Sequence, residues 1–276
     1  MKVLLINPTG GPSEEYGALA KAATELPQLG VASIAASLHN HGYPTRVIDF
    51  FMEKVSTEEL LEIIRSDGYD IVGFSVYITT EQKTFELAQK IKSNFPEVKI
   101  CVGGPQATLA PENFKKDFLD YVFLGEADLT LVELIQNLEK GLPYPENISG
   151  LLYNNGTPLQ GNRETNLVSD LNDLPLFDLE QYYDLSNYYP PIHIRGNKVI
   201  NLVSVRGCPY PCTFCAVAAI NGTKFRKVSI ERFVDNIELY TRKGYDSFMI
   251  YDDTFTLDKK RAVAISKEIL KRKLKI

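Results

Sequence analysis

The sequence has few of the residues and segments that mark secreted or membrane proteins. Its 276 residues include four cysteines, three histidines and no tryptophan. No segment approaches the roughly 18 uninterrupted apolar residues that a membrane-spanning helix needs, and the apolar run Val3–Ile6 is too short for the core of a signal peptide. In the cytosolic chain that these absences indicate, four cysteines do not suggest a disulfide framework. We therefore predict a cytoplasmic protein without a membrane partner.

The charge composition argues against a nucleic-acid partner. The chain has 30 Lys and Arg residues against 35 Asp and Glu residues, for a formal net charge of −5. Such a balance gives no general affinity for phosphate backbones. Hydrophobic residues make up 44% of the chain, which is enough to bury a real core. We expect no nucleic-acid partner.

The first 140 residues alternate between short apolar runs and amphipathic stretches, and we take residues 1–140 as one domain. The apolar runs predict five strands, at Val3–Ile6, Arg46–Phe50, Ile71–Val76, Lys99–Val102 and Tyr121–Leu124. The amphipathic stretches predict helices at Gly30–Asn40, Thr57–Arg65, Thr80–Asn94 and Leu129–Glu139. Such alternation predicts an α/β fold with a flavodoxin-like, doubly wound parallel sheet of strand order 2-1-3-4-5.

Residues 141–197 lose this rhythm and are rich in proline, so we predict a linker there with one short hairpin that begins at Gly150–Tyr153. Order resumes in residues 198–276, with strands predicted at Val199–Val205 and Ser247–Tyr251, and helices at Ser229–Lys243 and Asp258–Lys273. These are two β/α units. Because a full (β/α)₈ barrel takes about 200 residues or more, we interpret them as the first part of a truncated barrel.

Three cysteines are crowded into eight residues between the first strand and helix of this barrel segment. Cys208, Cys212 and Cys215 have the spacing C-x₃-C-x₂-C. Three thiolates on one loop can hold three irons of a 4Fe–4S cluster and leave the fourth iron open for chemistry. The alternative is a zinc site, but zinc normally takes a fourth Cys or His. His193 is the nearest histidine, and Cys101 is predicted to lie in the other domain.

The cysteine motif, with Phe214 before its last cysteine, resembles that of the radical S-adenosylmethionine (SAM) superfamily. The resemblance implies that the three cysteines ligate the cluster, that SAM chelates the open iron and yields a 5′-deoxyadenosyl radical, and that an external flavodoxin or ferredoxin supplies electrons. It also implies that Phe214 lies at the SAM site. Asp252 and Asp253 follow the second barrel strand, where related enzymes bind the amino end of SAM. The alternative is that these two aspartates cap the next helix.

A second group of residues follows the predicted strands of the first domain. Asn7, Ser75, Tyr77, Gly103 and Gly104 come at the ends of strands 1, 3 and 4, around the point where ligands bind in such sheets. This layout resembles cobalamin-binding domains, in which a Ser-x-Leu sequence precedes a Gly-Gly pair; here Tyr77 replaces the Leu. Gly125 and Glu126 resemble a turn of the radical-enzyme branch. The alternative for either glycine of the Gly-Gly pair is tight packing of a helix on a strand.

Many cobalamin domains carry a histidine after the first strand that binds cobalt, and residues 7–30 of this chain contain none. His39 and His41 end a helix that runs antiparallel to the strands, so we expect them at the opposite edge of the sheet. The resemblance therefore implies bound cobalamin without a histidine ligand from these positions.

Both resemblances together identify a cobalamin-dependent radical SAM enzyme. The function that they imply is methylation of an unactivated carbon of a small molecule, with a 4Fe–4S cluster, SAM and cobalamin as cofactors. A radical cyclase and a methylthiotransferase-like enzyme are alternatives, although the latter needs further cysteines in the first domain, where only Cys101 is present. A non-catalytic cobalamin carrier or sensor is the alternative that is not an enzyme.

Overall fold

The structure is a computed structural model that describes residues 1–10, 17, 26–155, 159–188 and 194–276. The chain divides into two compact units. The first takes in most of residues 1–168 and a return segment at 177–184, and the second takes in residues 185–276 with two short segments, 26–29 and 169–176, among the described residues. No helix within the described ranges is long and apolar enough to cross a membrane.

A parallel sheet of five strands is the centre of the first unit, with the predicted order 2-1-3-4-5. The five strands are β1 (Val3–Asn7), β2 (Thr45–Asp49), β3 (Ile71–Ser75), β4 (Lys99–Gly103) and β5 (Tyr121–Phe123). Every residue of β1 is buried, as expected where helices cover both faces of a sheet. The predicted fold class is confirmed.

Five α-helices belong to the parallel part of this unit among its described residues, and four of them were predicted. They are α1 (Leu29–Asn40), α2 (Thr57–Asp67), α3 (Glu81–Asn94), α4 (Pro105–Leu109) and α5 (Thr130–Glu139). The sequence specifies α2 most clearly, because Ser56 and Glu59 form a reciprocal capping box at its start and Gly68 ends it in the left-handed conformation. Helix α4 was missed, since five residues are too few to show a helical period.

The sheet does not end at β5, because two more strands extend it from the region predicted as a linker. Strand β6 (Leu151–Tyr153) pairs antiparallel with β5, and β7 (Gln160–Gly161) pairs antiparallel with β6. All three residues of β6 are buried, so the hairpin completes the first unit's core. The predicted hairpin is present from residue 151, and Gly156 in its turn lies outside the described residues.

The second unit contains the two predicted β/α units and a hairpin that the sequence did not reveal. Strands β8 (Val199–Leu202) and β11 (Ser247–Ile250) are parallel neighbours, whereas β9 (Val205–Arg206) and β10 (Arg226–Lys227) form an antiparallel pair. The helices are α6 (Val217–Asn221), α7 (Ile230–Arg242) and α8 (Lys259–Lys271). The strand predicted over Val199–Val205 is thus interrupted after Leu202, and the cysteines lie on the connection between β9 and α6.

Candidate functional site

The carboxyl ends of β1, β3 and β4 lie side by side in the first unit, as the topology predicted. Ser75 is paired in register with Gly103. Beyond the strands, the Val76 N–H donates to Gly103 O at 2.8 Å and the Gln106 N–H donates to Val76 O at 3.0 Å. The structure therefore brings Ser75 and Gly103 together at one edge of the sheet, with Asn7 on the neighbouring strand β1.

Asn7 has partners of its own at this edge. Its side chain is fully buried, its Nδ2 donates to Asp49 Oδ1 at 2.9 Å, and its Oδ1 accepts from the Thr9 hydroxyl at 2.6 Å. The Phe50 N–H also donates to Asn7 O. Asn7 therefore links the ends of β1 and β2 within the protein.

The adjacent glycines Gly103 and Gly104 differ in whether their position could accommodate a side chain. Gly104 has a φ of +92°, and a Cβ there would lie 3.0 Å from Val76 N, so any side chain is strained at this position. Gly103 lacks a positive φ, and its Cβ would lie 3.4 Å from the Phe123 Cβ. Packing against Val76 thus explains Gly104 without a ligand, which is the alternative that the sequence left open.

Gly125 and Glu126 contact the segment that returns after the β6–β7 hairpin. A Cβ at Gly125 would lie 2.2 Å from Asn166 O. The Glu126 N–H donates to Asn166 O at 2.8 Å, and Glu126 Oε2 accepts the Val168 N–H at 2.6 Å. Both residues therefore fasten residues 166–168 to the end of β5, a long-range contact with no signal in the local sequence.

Exposed apolar side chains stand at the same carboxyl edge of the sheet. Tyr77 and Ile78 follow β3 and are 37% and 76% exposed, and Leu109 at the end of α4 is 48% exposed. Thr108, next to Leu109, accepts the Gly125 N–H at 2.9 Å beyond β5. Neither Ile78 nor Leu109 was predicted at this edge, although an isoleucine three residues after the end of a buried strand was a usable signal.

His39 and His41 lie at the opposite edge, as predicted. His39 Nε2 contacts Thr45 O at 3.1 Å, at the start of β2, and its Nδ1 lies 3.2 Å from the Tyr182 hydroxyl. His41 Nδ1 lies 2.7 Å from Ser37 O. His193 lies outside the described residues.

The cysteine loop of the second unit has an anchored beginning and an exposed middle. Cys208 is half-buried and its N–H donates to Gly222 O at 3.2 Å, whereas Cys212 and Cys215 are exposed. The described residues contain no group of three His, Cys, Asp or Glu side chains placed around a single ion. Three thiolates on one loop are a donor set that suits a 4Fe–4S cluster with one open iron, whereas a zinc ion normally takes a fourth Cys or His.

Aromatic side chains accompany the cysteines. Phe214 is 91% exposed and Tyr210 is 52% exposed. Tyr251, which follows β11, is 50% exposed. The structure gives Phe214 no buried role, so its position before Cys215 is not explained by packing of the described residues.

Asp252 binds the backbone at the carboxyl end of β8. Its Oδ1 accepts the N–H groups of Ser204 at 2.5 Å and Val205 at 2.9 Å, and its Oδ2 accepts the Ser204 hydroxyl at 2.6 Å. Buried Arg261 on α8 donates to Ser204 Oγ at 3.3 Å and to Val228 O at 2.7 Å. Burial raises the pKa of Asp252, and the bonds from Ser204 and the charge of Arg261 oppose that rise.

Asp253 binds both ends of the cysteine loop. Its Oδ2 accepts the Gly207 N–H at 2.9 Å and the Asn221 side-chain amide at 3.2 Å. Neither Asp252 nor Asp253 caps the next helix, because Asp258 accepts the Arg261 N–H at 3.0 Å and is the cap of α8. The capping alternative was wrong, since the capping residue lies five positions farther along the chain.

Two family models match this chain, in an arrangement that agrees with the two units. The B12 binding domain matches residues 17–135, and the Radical SAM superfamily matches residues 202–276. These matches confirm the predicted family and its cofactor types, cobalamin, SAM and a 4Fe–4S cluster.

Curated relatives cover nearly the whole chain. An uncharacterized methyltransferase of Pyrococcus horikoshii is 29% identical over 281 residues, which covers 100% of this chain and 58% of the relative. The cytidylyl-2-hydroxyethylphosphonate methyltransferase of Streptomyces wedmorensis is 26% identical over 307 residues, covering 93% of this chain and 55% of the relative. The chain thus spans little more than half the length of these relatives.

Solved structures show the same fold. The cobalamin-dependent SAM radical enzyme OxsB, with aqua-cobalamin and SAM bound, has a TM-score of 0.80 at 20% identity and covers 98% of this chain and 37% of its own. The radical SAM methyltransferase TsrM from Kitasatospora setae, with tryptophan and a SAM analogue bound, has a TM-score of 0.76 at 18% identity, with 98% and 51% covered. The two domains matched in this chain, in this order and on this fold, show that it belongs to the cobalamin-dependent radical SAM family.

Proposed function

We propose that this protein methylates an unactivated carbon of a small molecule, with a 4Fe–4S cluster and SAM on the second unit and cobalamin on the first. The observation that carries the proposal is the presence of both candidate sites in one chain. One is an anchored loop with three free cysteines, and the other is an apolar surface at the carboxyl edge of the sheet. Cobalamin and SAM would supply the methyl transfer and radical chemistry, and the protein would orient them.

In the second unit we propose that Cys208, Cys212 and Cys215 hold the cluster and that Asp253 meets the amino group of SAM. Among the described residues Asp253 Oδ1 accepts no hydrogen bond, whereas both oxygens of Asp252 are occupied. Phe214 is exposed beside Cys215 and would contact SAM. An external flavodoxin or ferredoxin would supply the electron that reduces the cluster.

In the first unit we propose that Ser75, Tyr77 and Gly103 line the cobalamin site. Gly104, Gly125 and Glu126 would shape it through their contacts with Val76 and residues 166–168, and Asn7 through Asp49. Ile78 and Leu109 add apolar surface for the corrin ring.

The buried thiol of Cys101 favours this proposal over a methylthiotransferase. Cys101 lies within β4 and is 2% exposed. Burial raises the pKa of its thiol well above the usual range, so the thiolate that an iron ligand requires is disfavoured. The first unit therefore offers no second cluster site in its described residues.

The products of SAM distinguish a methyltransferase from a cyclase. Protein reconstituted anaerobically with iron, sulfide and hydroxocobalamin should show a cluster band and a corrin band in its absorbance spectrum. With reductant, SAM and a substrate, a methyltransferase forms both S-adenosylhomocysteine, from methylation of cobalamin, and 5′-deoxyadenosine. A cyclase forms 5′-deoxyadenosine alone, and that product pattern would overturn the proposed reaction.

Ile78→Asp is expected to weaken hydroxocobalamin binding at least tenfold without loss of stability. Ile78 is 76% exposed, so the substitution leaves the core unchanged, but it places a charge where an apolar corrin face would lie. Equilibrium dialysis with hydroxocobalamin measures the affinity. Leu142→Asp is the matched control, because Leu142 is 53% exposed and follows α5 at the opposite edge of the sheet. Equal affinity in both variants would place the corrin elsewhere.

The cobalt(II) form of the bound cofactor is expected to show no nitrogen splitting in its electron paramagnetic resonance spectrum. His39 and His41 lie at the amino edge of the sheet, engaged with Thr45 and Ser37. Neither can reach a corrin at the carboxyl edge. A clear three-line nitrogen pattern would mean that the protein or the cofactor's own base supplies a nitrogen ligand.

A further inference from the structure

The cysteine loop, residues 208–221, begins and ends at a narrow neck, where the segment that leads into it (the outgoing segment, residues 204–208) contacts the segment that leaves it (the returning segment, residues 221–227). Strands β9 and β10 pair antiparallel, with Arg206 opposite Arg226, so the chain between them leaves the hairpin and returns. At the neck the Cys208 N–H donates to Gly222 O at 3.2 Å. Gly207 has a φ of +89°, and a Cβ there would lie 2.2 Å from Lys224 O. The outgoing and returning segments are therefore in direct contact at the neck.

One carboxylate oxygen joins the two sides of this neck. Asp253 Oδ2 accepts the Gly207 N–H from the outgoing segment and the Asn221 amide from the returning segment. Asp253 lies beyond the end of the neighbouring strand β11, so the contact spans 46 residues of sequence. It is a third point of attachment, independent of the hairpin and of the loop's own backbone.

The other end of the outgoing segment is held by the preceding aspartate. Asp252 accepts the N–H groups of Ser204 and Val205, and Arg261 holds Ser204 from the other side. The backbone that leads into Cys208 is thus fixed at 204, 205, 207 and 208. By contrast, Cys212 and Cys215 lie on the exposed part of the loop, where the Cys215 N–H donates to Cys212 O.

We propose that Asp253 is a positioning residue that clamps the neck of the cysteine loop through its Oδ2 and so fixes Cys208 for the cluster. This inference rests on the proposed cluster at the three cysteines. The clamp requires an acceptor oxygen and not a negative charge, because both bonds go to the same oxygen. Asn at position 253 keeps such an oxygen, and Ala does not.

The test compares Asp253→Asn with Asp253→Ala in the full chain. Amide hydrogen exchange of residues 204–222, measured without iron, reports the neck directly. We expect exchange at Gly207 and Cys208 to be about tenfold faster in Asp253→Ala, because the hydrogen bonds from Gly207 and Asn221 lose their acceptor. Exchange in Asp253→Asn should stay within about twofold of the wild type. After anaerobic reconstitution, iron content should fall in the Ala variant and be retained in the Asn variant.

Asp246→Ala is the matched control. Asp246 accepts hydrogen bonds from the N–H groups of Asn197 and Lys198 at the amino ends of the same two strands, β8 and β11. Its loss lowers the stability of the same strand pair without touching the loop. We expect unchanged exchange at Gly207 and unchanged iron content, whereas an effect as large as that of Asp253→Ala would reduce the clamp to general stability and overturn it.

Three further outcomes test the clamp and the cluster separately. Wild-type exchange in Asp253→Ala, or an Asn variant that behaves like the Ala variant, would overturn the clamp. If the wild type binds no iron but the neck still loosens in Asp253→Ala, the proposed cluster fails while the clamp on the loop stands.

Discussion

Replacing Cys208, Cys212 or Cys215 by Ala is expected to abolish the iron–sulfur cluster. Each cysteine would be the only protein ligand of one iron, and the fourth iron would have no protein ligand. The two thiolates that remain in a variant therefore cannot hold the four-iron cluster. Wild-type protein should contain about four irons per chain after anaerobic reconstitution. Each variant should contain almost none and lack the brown absorbance band.

Cys101→Ala is the matched control for this experiment. Cys101 is buried in β4 of the first unit, so its loss removes a thiol of the chain without changing the loop. The variant should keep its iron and its absorbance band. Stoichiometric zinc without iron in protein from iron-replete cells would contradict the cluster.

Asp252→Ala is expected to cost about 3 kcal/mol of the free energy of unfolding of the second unit, because three hydrogen bonds from Ser204 and Val205 lose their acceptor and buried Arg261 loses a nearby negative charge. Arg261 is 7% exposed and lies against Ser204, which Asp252 also binds. Burial lowers the pKa of Arg261, and the charges of Asp252 and Asp258 oppose that change. Without Asp252, the guanidinium would be left with Asp258 as its remaining acidic neighbour, and Ser204 and Val205 would lose the acceptor of their N–H groups.

Urea unfolding followed by circular dichroism measures this cost, and a double variant identifies its origin. In Asp252→Ala/Arg261→Leu the buried charge is gone along with its partner, so the double variant should be more stable than Asp252→Ala alone. Additive losses would mean that the two side chains do not act together. A single variant within about 0.5 kcal/mol of the wild type would mean that the network contributes little to the fold.

Asp252 and Asp253 are adjacent in the sequence but bind different groups in the structure. The sequence placed both at the end of the second barrel strand and assigned them one role at SAM. In the structure both carboxylate oxygens of Asp252 accept hydrogen bonds from Ser204 and Val205, and one oxygen of Asp253 accepts hydrogen bonds at the neck of the loop. Asp252 therefore holds the backbone that leads into the loop, and Asp253 joins the two sides of the loop's neck.

The sequence by itself determined the order of the elements and the kind of chemistry. Strand positions in the first unit follow from short, continuous apolar runs, and these came within two residues of the observed bounds because both faces of the sheet are buried. The cysteine spacing is a local property of one loop, and it needs no tertiary contact to be recognised. The position of His39 and His41 followed from helix direction alone.

Only the tertiary structure decided which residues have partners within the protein and which remain exposed at the candidate sites. Gly104, Gly125 and Glu126 are explained by contacts with Val76 and residues 166–168. Hydrogen bonds between residues some 20 to 50 positions apart leave no period in the sequence, and neither does the exposure of Ile78. The sequence predicted the β6–β7 hairpin but not its place in the sheet, because strands of three and two residues carry no signal of their partner, and pairing with β5 is what stabilises them.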